Sequence, residues 1–185
     1  ALSETMKDIV ATNGISLKNK ITVVKNIDEI DEKVDILLIA PIGMLCLHGN
    51  YLSDLVVARE KMLTKDGTVV PKSLKLITAP ISDEKTNIYL KEQSAFWNDQ
   101  HFFGVDLSCE AQTAIKQTFA QTLTGRILEE SLMSIKPESY EIDLQTSSKE
   151  NVEEFDVSIK FKAACNGMIH GIAAWFELDL GLNEC

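Results

Sequence analysis

Near the start of the chain, Leu2, Met6, Ile9 and Val10 fall at helical spacing, and Asn13-Gly14 offers a stop. Residues 21–24 and 34–39 are short apolar runs rich in β-branched side chains, with Asp28, Glu29, Asp31 and Glu32 between them. Such runs predict strands buried on both faces, and helix, strand, loop, strand predicts part of a parallel α/β sheet. Leu52, Leu55, Val56, Met62 and Leu63 give the stripe of a second helix over 51–63, ended by turn chemistry at Asp66-Gly67. Residues 68–80 read as extended. Ser82 is placed to cap a helix over 83–96 whose first turn is acidic.

After Gly104 the rhythm changes. Ile115 and Phe119 mark a helix over 109–120, and the remainder alternates with a period of two. Tyr140, Ile142 and Leu144 form one such set, Phe155, Val157, Ile159, Phe161 and Ala163 a second, and Ile172, Ala174, Phe176, Leu178 and Leu180 a third. Asn166-Gly167 predicts a hairpin turn between the last two sets. Period-two patterning predicts antiparallel strands with a dry face, as in a sandwich or barrel. The expected class is therefore α/β followed by β. The α/β stretch holds two short strands, and neither leads into G-x-G-x-x-G, so it lacks the turn by which a doubly wound sheet cradles a dinucleotide.

Composition narrows the function classes. The chain has 185 residues, 45% apolar and 25% charged, which is a globular mix. No run approaches the roughly 18–20 apolar residues of a membrane span; residues 34–47 are broken by Asp35, Pro41 and Gly43. The formal net charge of −10, with no basic stripe, argues against direct nucleic-acid binding; it would attract a basic peptide partner, but its plainer role is to keep the protein in solution. Cysteines 46, 109, 165 and 185 form no CxxC pair and do not cluster with His48, His101 or His170, so no metal site is expected. Reduced cysteines and the lack of a signal-peptide pattern point to an intracellular protein, cytoplasmic or nuclear.

Two segments carry a resemblance. Residues 95–108, Ala-Phe-Trp-Asn-Asp-Gln-His-Phe-Phe-Gly-Val-Asp-Leu-Ser, and 167–176, Gly-Met-Ile-His-Gly-Ile-Ala-Ala-Trp-Phe, resemble the protein arginine N-methyltransferases, most closely the coactivator-associated, type I-like group. Residues 34–39 resemble the strand before that family's catalytic loop, 55–59 the helix after it, and 63–71 the entry to its β-barrel. The resemblance implies the C-terminal part of a Rossmann-like S-adenosylmethionine (AdoMet) methyltransferase domain over 1–66 and a partial β-barrel over 67–185. It also implies a helical dimerisation arm over about 98–124. The family moves a methyl group from AdoMet to an arginine guanidinium of an Arg-rich protein substrate and works as a dimer. A homodimer, or a heterodimer with a related methyltransferase, is the implied assembly.

Aligned on the family, the chain starts after the Gly-rich cofactor motif and the ribose-binding acid, and ends before a Thr-His-Trp loop. Ile27 and Asp28 fall where a Val-Glu pair meets adenine, which makes them the cofactor-side candidates. The first helix and short strands are then expected to carry apolar faces and a strand edge that another chain covers, or else to be mobile. The family's catalytic loop holds two glutamates; here one is deleted between Ala40 and Pro41, and Gly49 stands in place of the other. A guanidinium stays cationic and is gripped by bidentate carboxylates, so residues 39–52, which include no Asp or Glu, are altered at the point of chemistry. His48 is the ionisable histidine of that loop and reads as solvent-facing; as a cation it would repel the substrate. His170 reads as a hydrogen-bonded structural histidine, Trp97 and Trp175 as core, and Cys46 as unactivated. The sequence thus supports an arginine methyltransferase relative, with a non-catalytic pseudoenzyme or scaffold partner as the alternative.

Overall fold

The structure, a computed structural model, describes residues 2–13, 20–40 and 43–181. Gly14, Pro41 and Cys185 lie outside the described residues. The elements are α1 (Leu2–Thr12), β1 (Val34–Leu38), α2 (Tyr51–Met62), β2 (Leu63–Val70), β3 (Ser73–Ile81), α3 (Glu84–Ala95), α4 (Ala111–Ala120), β4 (Glu138–Asp143), α5 (Lys149–Glu153) and β5 (Gly171–Asp179). They divide into two compact units. The first takes residues up to Lys75, Glu141–Asp156 and the chain from Leu178; the second takes Leu76–Tyr140 and Val157–Glu177.

In the first unit β1, α2 and β2 make a strand–helix–strand crossover, and β1 pairs with β2 in parallel. Val34 faces Leu63, but Ile36 faces Thr68, so β2 bulges between these contacts. Gly67 leaves room there: a Cβ would sit 2.7 Å from the Leu63 side chain, which would have to move. The Gln145 side chain stitches the bulge, accepting from Val69 N–H at 2.8 Å and donating to Gly67 O at 3.0 Å. Helix α2 buries Leu52, Leu55, Val56, Ala58 and Met62, a stripe at helical spacing, and packs on β2 and α5. From α2, Arg59 reaches Leu144 O at 2.9 Å and Ser147 O at 2.7 Å, tying the helix to the turn after β4.

A three-stranded sheet has the order β4-β3-β5. Lys72 N–H donates to Asp179 O at one end of β3 and His170 N–H to Ile81 O at the other, so β3 and β5 run antiparallel. In the second unit Leu76, Ile77 and Ala79 of β3 are buried along with Met133 and Ala173, and α3 packs on α4, whose buried face is Ala111 and Ala114.

Several expectations hold: α1, α2, α3 and α4 form within a few residues of their expected spans, as do β4 and β5. Others need correction. Residues 21–24 pair with nothing as a strand, and Ile21 is exposed; β1's partner is β2, from beyond the crossover helix. Asp66-Gly67 is the β2 bulge rather than a turn. Residues 155–163 alternate but form no strand, because their pairing is with 133–135, a stretch too short for a ladder: Ile135 N–H bonds Lys162 O and Ala164 N–H bonds Met133 O. The Asn166-Gly167 hairpin is accordingly absent. On β5 Ala173 is buried and Trp175 half-buried, while Ile172 and Phe176, expected on the dry face, are exposed: the covered face carries the opposite alternate set. Exposed apolar side chains at Met6, Ile9, Ile36 and Leu38 match the expected uncovered faces of α1 and β1. No helix among the described residues is long and apolar enough to cross a membrane.

Arg59→Met is expected to destabilise the protein by about 2–3 kcal/mol in urea unfolding, since two carbonyls lose a charged donor. Ser134 Oγ is buried without a hydrogen-bond partner, so Ser134→Ala is expected to be neutral or stabilising by up to about 1 kcal/mol in the same assay.

Candidate functional site

The loop between β1 and α2 is where the sequence places the altered chemistry. Ile39 N–H donates to Val70 O at 2.9 Å and anchors its start; Ala40 is exposed, and Pro41 lies outside the described residues. Residues 44–46 form one tight turn, with Cys46 N–H bonded to Gly43 O and Leu47 N–H to Met44 O. The backbone is held in left-handed conformations at Gly43 (φ 102), Leu45 (φ 55), Cys46 (φ 60) and Gly49 (φ 73). Leu45 and Cys46 have side chains, so this loop stores strain. It is anchored by Cys46, which is 1% exposed and whose thiol is pushed up by burial, making it an unreactive packing residue. His48 and Gly49 are exposed, and Asn50 starts α2 without a side-chain cap.

The cofactor-side candidates sit in a separate turn, Ile27–Glu29. Asn26 and Glu29 form a reciprocal capping box around it. Ile27 is half-buried. The Asp28 carboxylate is 3.0 Å from Lys61 Nζ, which also donates to Ile27 O at 3.1 Å. Lys61 belongs to the last turn of α2, so α2 reaches the loop at its start and this turn near its end. Asp28 is thus neutralised by a neighbour, in an exposed pair worth at most about 1 kcal/mol. The Asp28 acid is paired with Lys61, and the sequence holds no G-x-G-x-x-G turn beside it. No group of three or more His, Cys, Asp or Glu among the described residues is placed to hold a metal.

Sequence reasoning missed an open cavity of about 470 Å³ in the first unit, lined by Glu141, Asp143, Asp179 and Lys72 among others. Its carboxylates are already hydrogen-bonded: Glu141 accepts across to β3 from the Ser73 hydroxyl at 2.6 Å, while in local turns Asp143 accepts from Gln145 N–H and the Thr146 hydroxyl, and Asp179 from Gly181 N–H. The Thr146 hydroxyl above all holds the Asp143 carboxyl below its usual range, with backbone amides and the Arg59 charge adding and burial opposing. In the second unit Phe96 meets Trp97 and Phe102 edge to face, at ring-centroid distances of 5.6 and 5.1 Å, and Phe102 meets Phe103 at 4.8 Å. Trp97 is 38% exposed and Phe103 92%, so Trp97 belongs to a surface cluster and not to the core. His170 is held as read, with Nε2 3.1 Å from Glu84 and Nδ1 3.4 Å from the Ser82 hydroxyl. Trp175 is half-buried.

Residues 73–184 match the family model described as the arginine methyltransferase oligomerization subdomain. The chain belongs to the arginine methyltransferase family. Among curated relatives, it is 32% identical to the probable histone-arginine methyltransferase CARM1 of Oryza sativa, over 96% of this chain and 34% of the relative. It is 27% identical to protein arginine N-methyltransferase 6 of Xenopus laevis, over 96% of this chain and 52% of that one. The chain therefore spans about a third of the rice relative and half of the frog one. Among solved structures, the fold is shared with the Trypanosoma brucei PRMT1 enzyme-prozyme heterotetrameric complex with AdoHcy (TM-score 0.64, 22% identity, 82% of this chain and 45% of that chain). It is shared also with Arabidopsis thaliana protein arginine methyltransferase 10 (TM-score 0.65, 20% identity, 82% of this chain and 47% of that chain). For an arginine methyltransferase, the loop over 39–52 supplies a strained backbone without an acidic side chain.

Gly49→Glu, which returns a carboxylate to the loop, is expected to lower stability by about 1–2 kcal/mol in thermal melts, because the left-handed backbone there disfavours a Cβ. Asp143 has a depressed folded-state pKa, so its stabilisation is present above the unfolded value near 3.9 and is lost as pH falls through the folded value. Asp143→Asn should flatten the fall of melting temperature between about pH 5 and 3.

Proposed function

We propose that this protein acts in protein arginine methylation as a subunit of a methyltransferase assembly, contributing oligomerisation surface instead of the reacting groups. The observation that carries this reading is the oligomerization-subdomain match over 73–184 beside a loop, 39–52, that contains no Asp or Glu. The family's acceptor is a guanidinium, which keeps its charge in any protein site and costs several kcal/mol to bury unpaired. Gly49 and Asn50 supply no anion, and His48 offers a cation or a neutral ring. In this reading residues 1–66 form the end of a Rossmann-like AdoMet domain and 67–185 part of a β-barrel, with an arm over about 98–124. The partner is a second copy or a related methyltransferase, and the work is intracellular. The Trypanosoma neighbour, named as an enzyme-prozyme complex, gives a precedent for such pairing.

A second reading is favoured by the curated relatives, which are named as methyltransferases: the protein is itself an active enzyme whose carboxylates and cofactor turn lie outside this chain. Radiolabelled AdoMet and an Arg-rich histone peptide separate the two. On the first reading the full-length protein transfers no label above background, and sedimentation shows a dimer or a complex with an active relative. Robust methylation by the full-length protein that survives substitutions at His48 and Asn50 would establish the second reading. A strict monomer that binds no methyltransferase would remove the first.

A further inference from the structure

We propose that the aromatic loop over 96–107 is a docking site for an arginine-bearing segment of a partner protein. The two legs of the loop are tied at its base, where Leu107 N–H donates to Asp99 O at 2.9 Å. At the other end Val105 N–H donates to Phe102 O at 2.9 Å and closes a tight turn through Phe103 (φ 48) and Gly104 (φ 82). Turns with two left-handed residues are ordinarily filled by Asn, Asp or Gly, because a larger side chain strains the backbone there. Here the apex holds a phenylalanine that is 92% exposed. Its ring meets Phe102, and through Phe102 the edge-to-face contacts reach Phe96 and then Trp97. The strained turn thus holds a ring out in water instead of burying it.

Charge decides what fits over these rings. Residues 92–115 hold Glu92, Asp99, Asp106 and Glu110 and no Lys or Arg. Asp99 and Asp106 are exposed and stand on opposite legs of the loop, Asp99 accepting from His101 N–H at 2.8 Å and Asp106 from Ser108 N–H at 2.9 Å. The Asp106 carboxyl is held below its usual range, first by the Ser108 hydroxyl and then by the Ser108 amide, with burial opposing. A carboxylate accepts at about four positions, so both acids keep room for a further donor. A guanidinium answers both features: its plane stacks on a ring face, and its N–H fork pairs with a carboxylate. An ammonium supplies the charge without the plane. A wholly apolar segment would cover the rings and strip water from the acids. Nucleic acid would meet like charge, and so would the same loop of a second copy. The loop belongs to the second unit alone, so the site stands whether or not the subunit is catalytic.

The test titrates the whole chain with a synthetic Gly-Arg-Gly repeat peptide, with a Gly-Lys-Gly repeat of equal charge and with an uncharged Gly-Gln-Gly repeat. Binding is read by tryptophan fluorescence and calorimetry, and sedimentation in the same buffers reads self-association. The arginine peptide is expected to saturate and to bind about threefold or more tighter than the lysine peptide, with no binding of the glutamine peptide. Phe103→Leu, which keeps an apolar side chain and removes the ring, should weaken the arginine peptide by about two- to fivefold. Asp106→Asn, which keeps the acceptor for Ser108 N–H and removes the charge, should weaken it by a similar factor of about two to five. Glu60→Gln removes the same charge from an exposed position of α2 and should leave binding unchanged. Equal affinity for the arginine and lysine peptides, full binding by Phe103→Leu, or a loss in Glu60→Gln as large as that in Asp106→Asn overturns the site. A dimer that Phe103→Leu dissociates and the arginine peptide does not would give the loop to a second copy, and overturns it too.

Discussion

Strand β3 sets the constraint that the other elements satisfy. It is buried along nearly its whole length, with Ser73, Leu74, Leu76, Ile77, Ala79 and Pro80 all shielded. A strand with no wet face has no water for its backbone, so each N–H and C=O must find protein on one edge or the other. β4 and β5 supply those edges and become edge strands themselves, which is why their burial is sparse where that of β3 is dense. The same requirement explains the side-chain stitches nearby. Gln145 serves the bulged β2 where regular pairing fails, and Arg59 serves carbonyls beyond the end of β4.

What could be read in advance was local. Helix α2 announced itself through a stripe that α2 alone must bury, and β4 through Tyr140, Ile142 and Leu144 on one side. The errors arose where a segment's state depends on a distant partner. Residues 155–163 alternate as well as any strand in the chain, yet a ladder needs two sides, and 133–135 is the side they meet. Arg59 and Gln145 had no signal, because the groups they hold lie 76 to 88 residues away. Family membership was legible for a different reason: the aromatic segment at 95–108 and the strand at 167–176 are particular combinations, whereas an amphipathic stripe is common to many folds.

The candidate loop separates geometry from charge. Left-handed backbone at Leu45 and Cys46 is costly and is held in place by a Cys46 side chain that is fully buried. Such strain is usually found where a side chain must be aimed, but here the side chains presented are His48 and Asn50. Asp28 pairs with Lys61. The loop thus combines strained backbone at Leu45 and Cys46 with a segment, 39–52, that holds no Asp or Glu.

The outer face of β5 has a bearing on further pairing. Ile172 and Phe176 stand in water along a strand that has β3 on one flank. Apolar side chains on a strand with a free backbone edge favour pairing with a further strand, which would bury both the edge and the face.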